Sequence, residues 1–324
     1  MCTALSFTTK DHYFGRNLDL DRSYGEEVCV MPRNFPIEFR TIGKMDNHFA
    51  MIGIATVVCA FPLFYDATNE YGLSMAGLNF TNNAFFGPIK SDKDNIAPFE
   101  FIPWVLSQCK TVNDAENLLS KINLAEIPFN DALPCAYLHW IISDNDRSIV
   151  AEFLKDGLHI HTDEYGVLTN NPPFPYHLKN LEKYKNLRND NKNIQLEENL
   201  PYSTYSQGLG AVGLPGDVSS MSRFVRMVFG KQNSVCDDDE LSSVGQFFHL
   251  LSSVETLKGA CVTDQGNLFF TVYSCCINTD KGRYYYTSYQ NRQINCVDMH
   301  KTDLNGEEIS RFPLELRESI NLQN

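Results

Sequence analysis

Cysteine stands at position 2, directly behind the initiator methionine. Removal of Met1 leaves Cys2 with a free α-amine, whose ordinary pKa of about 7.7–8.0 suits a base at neutral pH. Thiol and amine then sit on one residue, the arrangement of a nucleophile activated by its own amino terminus. Further along, Phe14-Gly15-Arg16-Asn17-Leu18-Asp19 puts an arginine and a carboxylate on a stretch that a hairpin could bring back to Cys2. A guanidinium near a thiol favours the thiolate. A carboxylate near the amine would orient it through a charge-assisted hydrogen bond. The plainer alternatives are a small residue that merely follows Met1, and a surface Arg–Asp ion pair of little energetic weight.

Other signals carry less. Gly208-Leu209-Gly210-Ala211-Val212-Gly213 spells a dinucleotide-binding pattern. The segment before it, Pro201 to Gln207, is polar, and Pro215-Gly216 follows at once, so the strand and helix that such a site needs are missing. His159 and His161 alternate as on one strand face, but two histidines without further ligands make no metal site. Ten cysteines are scattered without a Cys-x-x-Cys pair. They are expected to be reduced and mostly buried rather than to form a disulfide framework or a zinc site.

The elements that must position these residues read as strands, helix, strands, helix, strands. Ala4–Thr9, Val28–Met31, Ile37–Thr41, Phe49–Cys59 and Leu73–Phe80 are rich in β-forming residues and bounded by turn residues. Thr111 and Asp114 make a capping box ahead of Ala115, Leu118, Leu119 and Ile122. Tyr137–Ile142 and Ser148–Phe153 form a hairpin across Asp144-Asn145-Asp146, and residues 180–199 are a Lys-, Asn- and Glu-rich connection. A second helix covers Asp238–Glu255, with Leu241, Val244, Phe248 and Leu251 on one face and Asp237–Asp239 at its positive end. Phe269–Cys276, Arg283–Gln290 and Gln293–Asp298 return to strand. This order predicts layered sheets with helices outside.

Hydrophobic residues are 43% and charged residues 21%, as in a globular chain with a sizeable core, and 22 Phe with 15 Tyr supply aromatic area for core or apolar ligand. A net charge of −13 disfavours nucleic acid as a partner. The apolar run Phe49–Tyr65 contains Gly53, Thr56 and Pro62 and reads as a buried strand ending in a turn, not a membrane span. No basic segment precedes an apolar one at the N-terminus, so a cytoplasmic location is expected.

Six segments in order resemble the choloylglycine hydrolase family, which comprises bile salt hydrolases and penicillin V acylases. They are Met1-Cys2-Thr3, Phe14–Asp19, Ala76-Gly77-Leu78-Asn79-Phe80, Leu168-Thr169-Asn170-Asn171-Pro172, Gly213-Leu214-Pro215-Gly216-Asp217 and Ser222-Arg223-Phe224. The resemblance runs essentially the full length, to Tyr284-Tyr285-Tyr286 and beyond. It implies an α+β fold, the four-layer αββα sandwich of N-terminal-nucleophile hydrolases, as one domain over 1–324 with Met1 removed. It implies Cys2 as nucleophile with its amine as base, Arg16 supporting the thiolate and Asp19 holding the amine. The Asn170 side chain and the Asn79 backbone N–H would form the oxyanion hole, and Arg223 would complete the polar set. Asn at position 79 resembles the bile salt hydrolases, whereas penicillin V acylases commonly carry tyrosine there. Leu18, Phe61, Phe129 and Leu133 would lie along a steroid pocket, with ordinary packing as the alternative for each. The resemblance implies conjugated bile salts as substrates, no cofactor or metal, and a homotetramer. Penicillin V hydrolysis, acyl transfer to another amine, and a non-catalytic carrier of amphipathic ligands are the rival activities.

Overall fold

The computed structural model describes residues 1–191 and 206–324. Two large antiparallel sheets form the centre. The first runs, in spatial order, Val167–Leu168, Cys2–Thr8, His12–Leu20, Leu268–Asn278, Arg283–Ser288 and Asn291–Asp298, with Cys261–Val262 paired beside Leu268–Asn278. The second runs Gly157–Thr162, Ser148–Leu154, Leu138–Ser143, Ser74–Asn79, Phe61–Asn69, Met51–Val58, Glu27–Met31 and Ser310–Pro313. The closing strand therefore pairs with a strand from the start of the chain.

Alternation along the strands builds the layers. In Met51–Val58, Ile52 and Ile54 join the core that also holds Cys2 and Phe14, while Met51 and Ala55 join a second core with Phe101, Trp104 and Leu119. In Leu138–Ser143, Ile141 faces the first core, and Trp140 and Ile142 the second. Period-two side chains with both faces buried demand a layer on each side. Helices Phe101–Leu106 and Val112–Leu119 cover the second sheet. Helices Ser220–Gln232 and Glu240–Ser252 cover the first, which makes the four-layer αββα sandwich.

The sheets come close where glycine allows it. A Cβ on Gly15 would lie 1.9 Å from the Cys275 carbonyl oxygen, so only glycine lets His12–Leu20 pair there with Leu268–Asn278. At the tip between Met51–Val58 and Phe61–Asn69, Cys59 and Ala60 both have positive φ, 51° and 62°. That is the conformation of a tight two-residue hairpin, and it falls inside the apolar run Phe49–Tyr65, which therefore folds as parts of two paired strands and not as one strand ending in a turn.

Most expected elements are present within a few residues, including the capping box at Thr111 and Asp114. Ile37–Thr41 shortens to Ile37–Phe39, paired with Gly43–Met45. Asp239 caps the later helix, its carboxylate accepting from the N–H groups of Leu241 and Ser242. Leu241 departs from expectation: it is 77% exposed, while Val244, Phe248 and Leu251 are buried. Its position in the first turn, beyond the layer the rest of the helix covers, overrides its place on the apolar stripe. Helices Phe101–Leu106, Phe174–Leu181 and Ser220–Gln232 and the strand Ser310–Pro313 add to the elements read from sequence. The connection 180–199 lies partly outside the described residues; within them, Asn180 ends inside Phe174–Leu181. All cysteines are free; Cys59 and Cys296 are exposed, and the rest are wholly or partly buried.

Candidate active site

The hairpin His12–Leu20 does return to the N-terminus: Cys2 lies opposite Leu18, and Ala4 opposite Arg16. Arg16 is fully buried between the sheets. One terminal nitrogen donates to the carbonyls of Gly77 at 2.6 Å and Tyr65 at 3.1 Å, and the other has no hydrogen-bond partner among the described residues. Burial works against its charge, but Cys2, Tyr273 and Asp66 outweigh that and hold Arg16 protonated above the ordinary arginine value. Asp66 accepts from Tyr273 Oη at 2.6 Å and from Tyr284 Oη, all three buried in the same layer.

Asp19, also fully buried, sits in a cradle of hydroxyls. Thr271 Oγ1 donates to its carboxylate at 2.6 Å and Thr256 Oγ1 at 3.3 Å. Its backbone holds Met1: the Met1 amine donates to the Asp19 carbonyl at 3.1 Å, and Asp19 N–H donates to the Met1 carbonyl at 3.0 Å. Burial lowers the pKa of that amine; Arg223 and Arg16 push the same way, and Cys2 and Asp19 oppose. A depressed amine is more of a free base at neutral pH.

Asn170 follows the short strand Val167–Leu168, which pairs with Cys2–Thr8. Its amide oxygen accepts from Cys2 N–H at 2.6 Å and from Arg223 at 2.8 Å, and its amide nitrogen donates to the Asn79 carbonyl at 2.9 Å. Arg223 comes from helix Ser220–Gln232 and reaches the Cys2 carbonyl and, at 2.6 Å, Thr3 Oγ1. Asn79 ends a strand of the other sheet with its side chain turned to Thr81, so its backbone faces Asn170. Cys2, Asn79, Asn170 and Arg223 thus share one hydrogen-bonded network, Asp19 joins it through Met1, and Arg16 is coupled to Cys2 by charge.

A cavity of about 410 Å³ has an almost wholly apolar wall that includes Phe99, Ile102, Phe129, Leu133 and Leu138. Phe61 packs against Phe99 and Phe129, with ring centroids 5.6 and 6.1 Å away. Leu18 is buried in the core opposite Cys2 and does not line this cavity. Tyr65 does, and its carbonyl accepts from Arg16, so cavity wall and buried arginine meet at one residue. Sequence reasoning missed Tyr65, Asp66, Thr256, Thr271, His139, Glu152 and His177. The one local signal was Glu152, an acid inside the apolar strand Ser148–Leu154.

With this geometry in place, comparison with known proteins is decisive. A model of the linear amide C–N hydrolases, choloylglycine hydrolase family, matches residues 2–312. The chain belongs to the choloylglycine hydrolase family. Among its relatives, the bile salt hydrolase/transferase of Lactiplantibacillus plantarum is 46% identical over 97% of each chain. That of Clostridium perfringens is 37% identical over 100% of each. A variant of the conjugated bile acid hydrolase from Clostridium perfringens superposes with a TM-score of 0.92, at 35% identity and full coverage of both chains. Penicillin V acylase from Agrobacterium tumefaciens, at 21% identity and a TM-score of 0.76 over 96% of this chain and 90% of its own, shares the fold. The family's chemistry is hydrolysis of linear amide C–N bonds, and its members share the N-terminal-nucleophile sandwich seen here.

Two buried histidines make stability pH-dependent. His12, wedged among Ser6, Ser143 and Thr279, is pushed by burial down to about 4, and His177 likewise to about 4. The unfolded chain takes up these protons near the ordinary value of 6.5, the folded chain only near 4, so stability rises with pH across that window. Asp163, raised by burial to about 7, works in the opposite sense, losing stability as pH rises toward 7. His12→Gln isolates the first effect. Relative to this variant, the parent is expected to lose up to about 3 kcal/mol between pH 6.5 and 4, measured by urea unfolding at each pH.

Proposed function

We propose that the chain hydrolyses the amide joining a bile acid to glycine or taurine. The observation that carries this is the junction at Tyr65, where an apolar cavity large enough for a rigid hydrocarbon skeleton abuts the buried polar cluster around Cys2. The bile salt and bile acid hydrolases among its relatives support the same substrate class.

After Met1 is removed, the Cys2 nitrogen becomes the amine, and it takes the proton of its own thiol. The thiolate attacks the amide carbonyl carbon, and the oxyanion is met by the Asn170 side chain and the Asn79 N–H. Arg16 and Arg223 supply the positive field, and Asp19 fixes the chain segment that carries the amine. The amine then passes its proton to the leaving nitrogen and the C–N bond breaks, releasing glycine or taurine. Water, deprotonated by the same amine, cleaves the thioester and frees the bile acid with the thiol restored. No cofactor enters this cycle. Phe129 and Leu133, which line the cavity, and Phe61, which packs on Phe129, are assigned to the steroid side of the site; Leu18, buried in the core opposite Cys2, is not.

Two relatives named hydrolase/transferase support acyl transfer to a second amine in place of water as a side activity. The complete polar set argues against a non-catalytic carrier. We also read 1–324 as one domain, since Ser310–Pro313 completes the sheet that Glu27–Met31 enters. The family resemblance implies a homotetramer, and the expected location is cytoplasmic; light scattering and fractionation would check them in turn, and among the described residues no helix is long and apolar enough to cross a membrane.

The test is amine release from glycocholate, taurocholate and penicillin V offered separately. Rapid release from either bile salt is expected. Release from penicillin V alone would keep the chemistry and overturn the substrate.

A further inference from the structure

Asn170 and Asn79 meet at one contact but belong to different sheets. Asn170 follows an edge strand of the first, and Asn79 ends a strand of the second. Two donors acting on one oxygen must keep their spacing to within about 0.5 Å. Neither sheet by itself sets the gap between them.

One buried ring spans that gap. His139 Nε2 donates to the Thr169 carbonyl at 2.8 Å, immediately before Asn170. The same ring lies flat on Phe80, immediately after Asn79, with centroids 4.1 Å apart and planes 6° apart. His139 Nδ1 faces Glu152 Oε1 at 3.0 Å. Each ring nitrogen faces an oxygen, Thr169 O on one side and Glu152 Oε1 on the other, while the ring face rests on Phe80. Burial opposes the charge on Glu152, but the hydrogen bond to His139 and the nearby His161 ring, 3.6 Å from the other carboxylate oxygen, prevail and pull its carboxyl down to about 2. Glu152 Oε1 also accepts from Phe174 N–H at 3.0 Å, at the start of the helix whose His177 Nε2 donates to the Asn170 carbonyl at 2.8 Å. Ser220 Oγ accepts from Asn170 N–H at 2.8 Å, so both backbone groups of Asn170 are held by side chains. His139 and Glu152 are completely buried. A carboxylate buried against a polar ring adds little stability over apolar residues of the same size, so its presence here calls for another role.

We propose that His139, held in place by Glu152, is the positioning residue common to Asn79 and Asn170 and sets the gap between the two oxyanion donors. This rests on the roles assigned to those two asparagines above. His139 acts through Thr169 and Phe80, not on substrate.

Two variants test it. His139→Phe keeps the stack and loses both hydrogen bonds; Glu152→Gln keeps size and acceptor but loses the charge. The kcat for amine release is expected to fall about 10-fold or more in His139→Phe and by a smaller factor, still above about threefold, in Glu152→Gln. KM should stay within about threefold, because the apolar cavity is untouched. Alkylation of Cys2 by iodoacetamide, followed by peptide mass, needs no oxyanion donor and should stay within about twofold of the parent. A kcat within about twofold of the parent, or an equal fall in kcat and alkylation rate, overturns the proposal. If His139→Phe does not fold, Glu152→Gln decides by the same criteria. Failure of the parent itself on bile salts would reject the substrate assignment alone, and the positioning test is then read on whichever amide the parent cleaves.

Discussion

Cys2→Ala is expected to abolish amine release from conjugated bile salts, with kcat falling on the order of 10⁴–10⁶-fold. In the proposed mechanism the thiol forms the covalent bond on which both halves of the cycle depend. The other fully buried thiols are poor substitutes: Cys275 and Cys276 are pushed well above their ordinary range by desolvation, and Cys29 and Cys109 are raised by burial to about 12. The variant should fold, because alanine leaves the strand Cys2–Thr8 and its pairing with His12–Leu20 intact. It should also bind bile salt, since the cavity beside Tyr65 and Phe129 is unchanged. Steady-state release and calorimetric binding on one sample check both halves. Turnover above about one per cent of the parent would remove Cys2 from the mechanism.

Blocking the amine should be nearly as damaging. A chain that keeps Met1 has a peptide nitrogen at Cys2, which cannot accept a proton. That nitrogen donates its hydrogen to the Asn170 amide oxygen at 2.6 Å. General-base assistance is typically worth ~10²–10⁴-fold, and a loss of that order is expected. A leader peptide joined directly to Cys2 and removable by a protease supplies the test. Activity should be near background before cleavage and appear in proportion to the mass of free Cys2 chain afterwards. Full activity with the leader attached would end the assignment of the amine as base, while leaving the thiol untouched.

Strands and capped helices were legible because their signals are local. Val28–Met31 lies within the strand Glu27–Met31, and the Phe49–Cys59 reading differs from Met51–Val58 by turn residues only. Thr111 and Asp114 close a capping box through atoms a few residues apart. Helix Ser220–Gln232 was not read, although it carries Arg223 to the Cys2 carbonyl. Leu241 was read as core because periodicity reports a face and cannot report where the covering layer ends.

The sequence by itself determined the family and the residues on which the proposed chemistry rests: a cysteine behind Met1, the Arg16 and Asp19 pair, and motifs whose order resembles one family. Those are matters of residue type and short spacing, which a chain displays without folding. Only the tertiary structure decided how the residues meet. It set Arg16 against the carbonyls of Tyr65 and Gly77, seated Asp19 on Thr256 and Thr271, and laid His139 across the neighbours of Asn79 and Asn170. Each of these contacts joins segments far apart in the chain, brought together by strand register and by two sheets closing on one core. Local sequence preference carries no information about such distances.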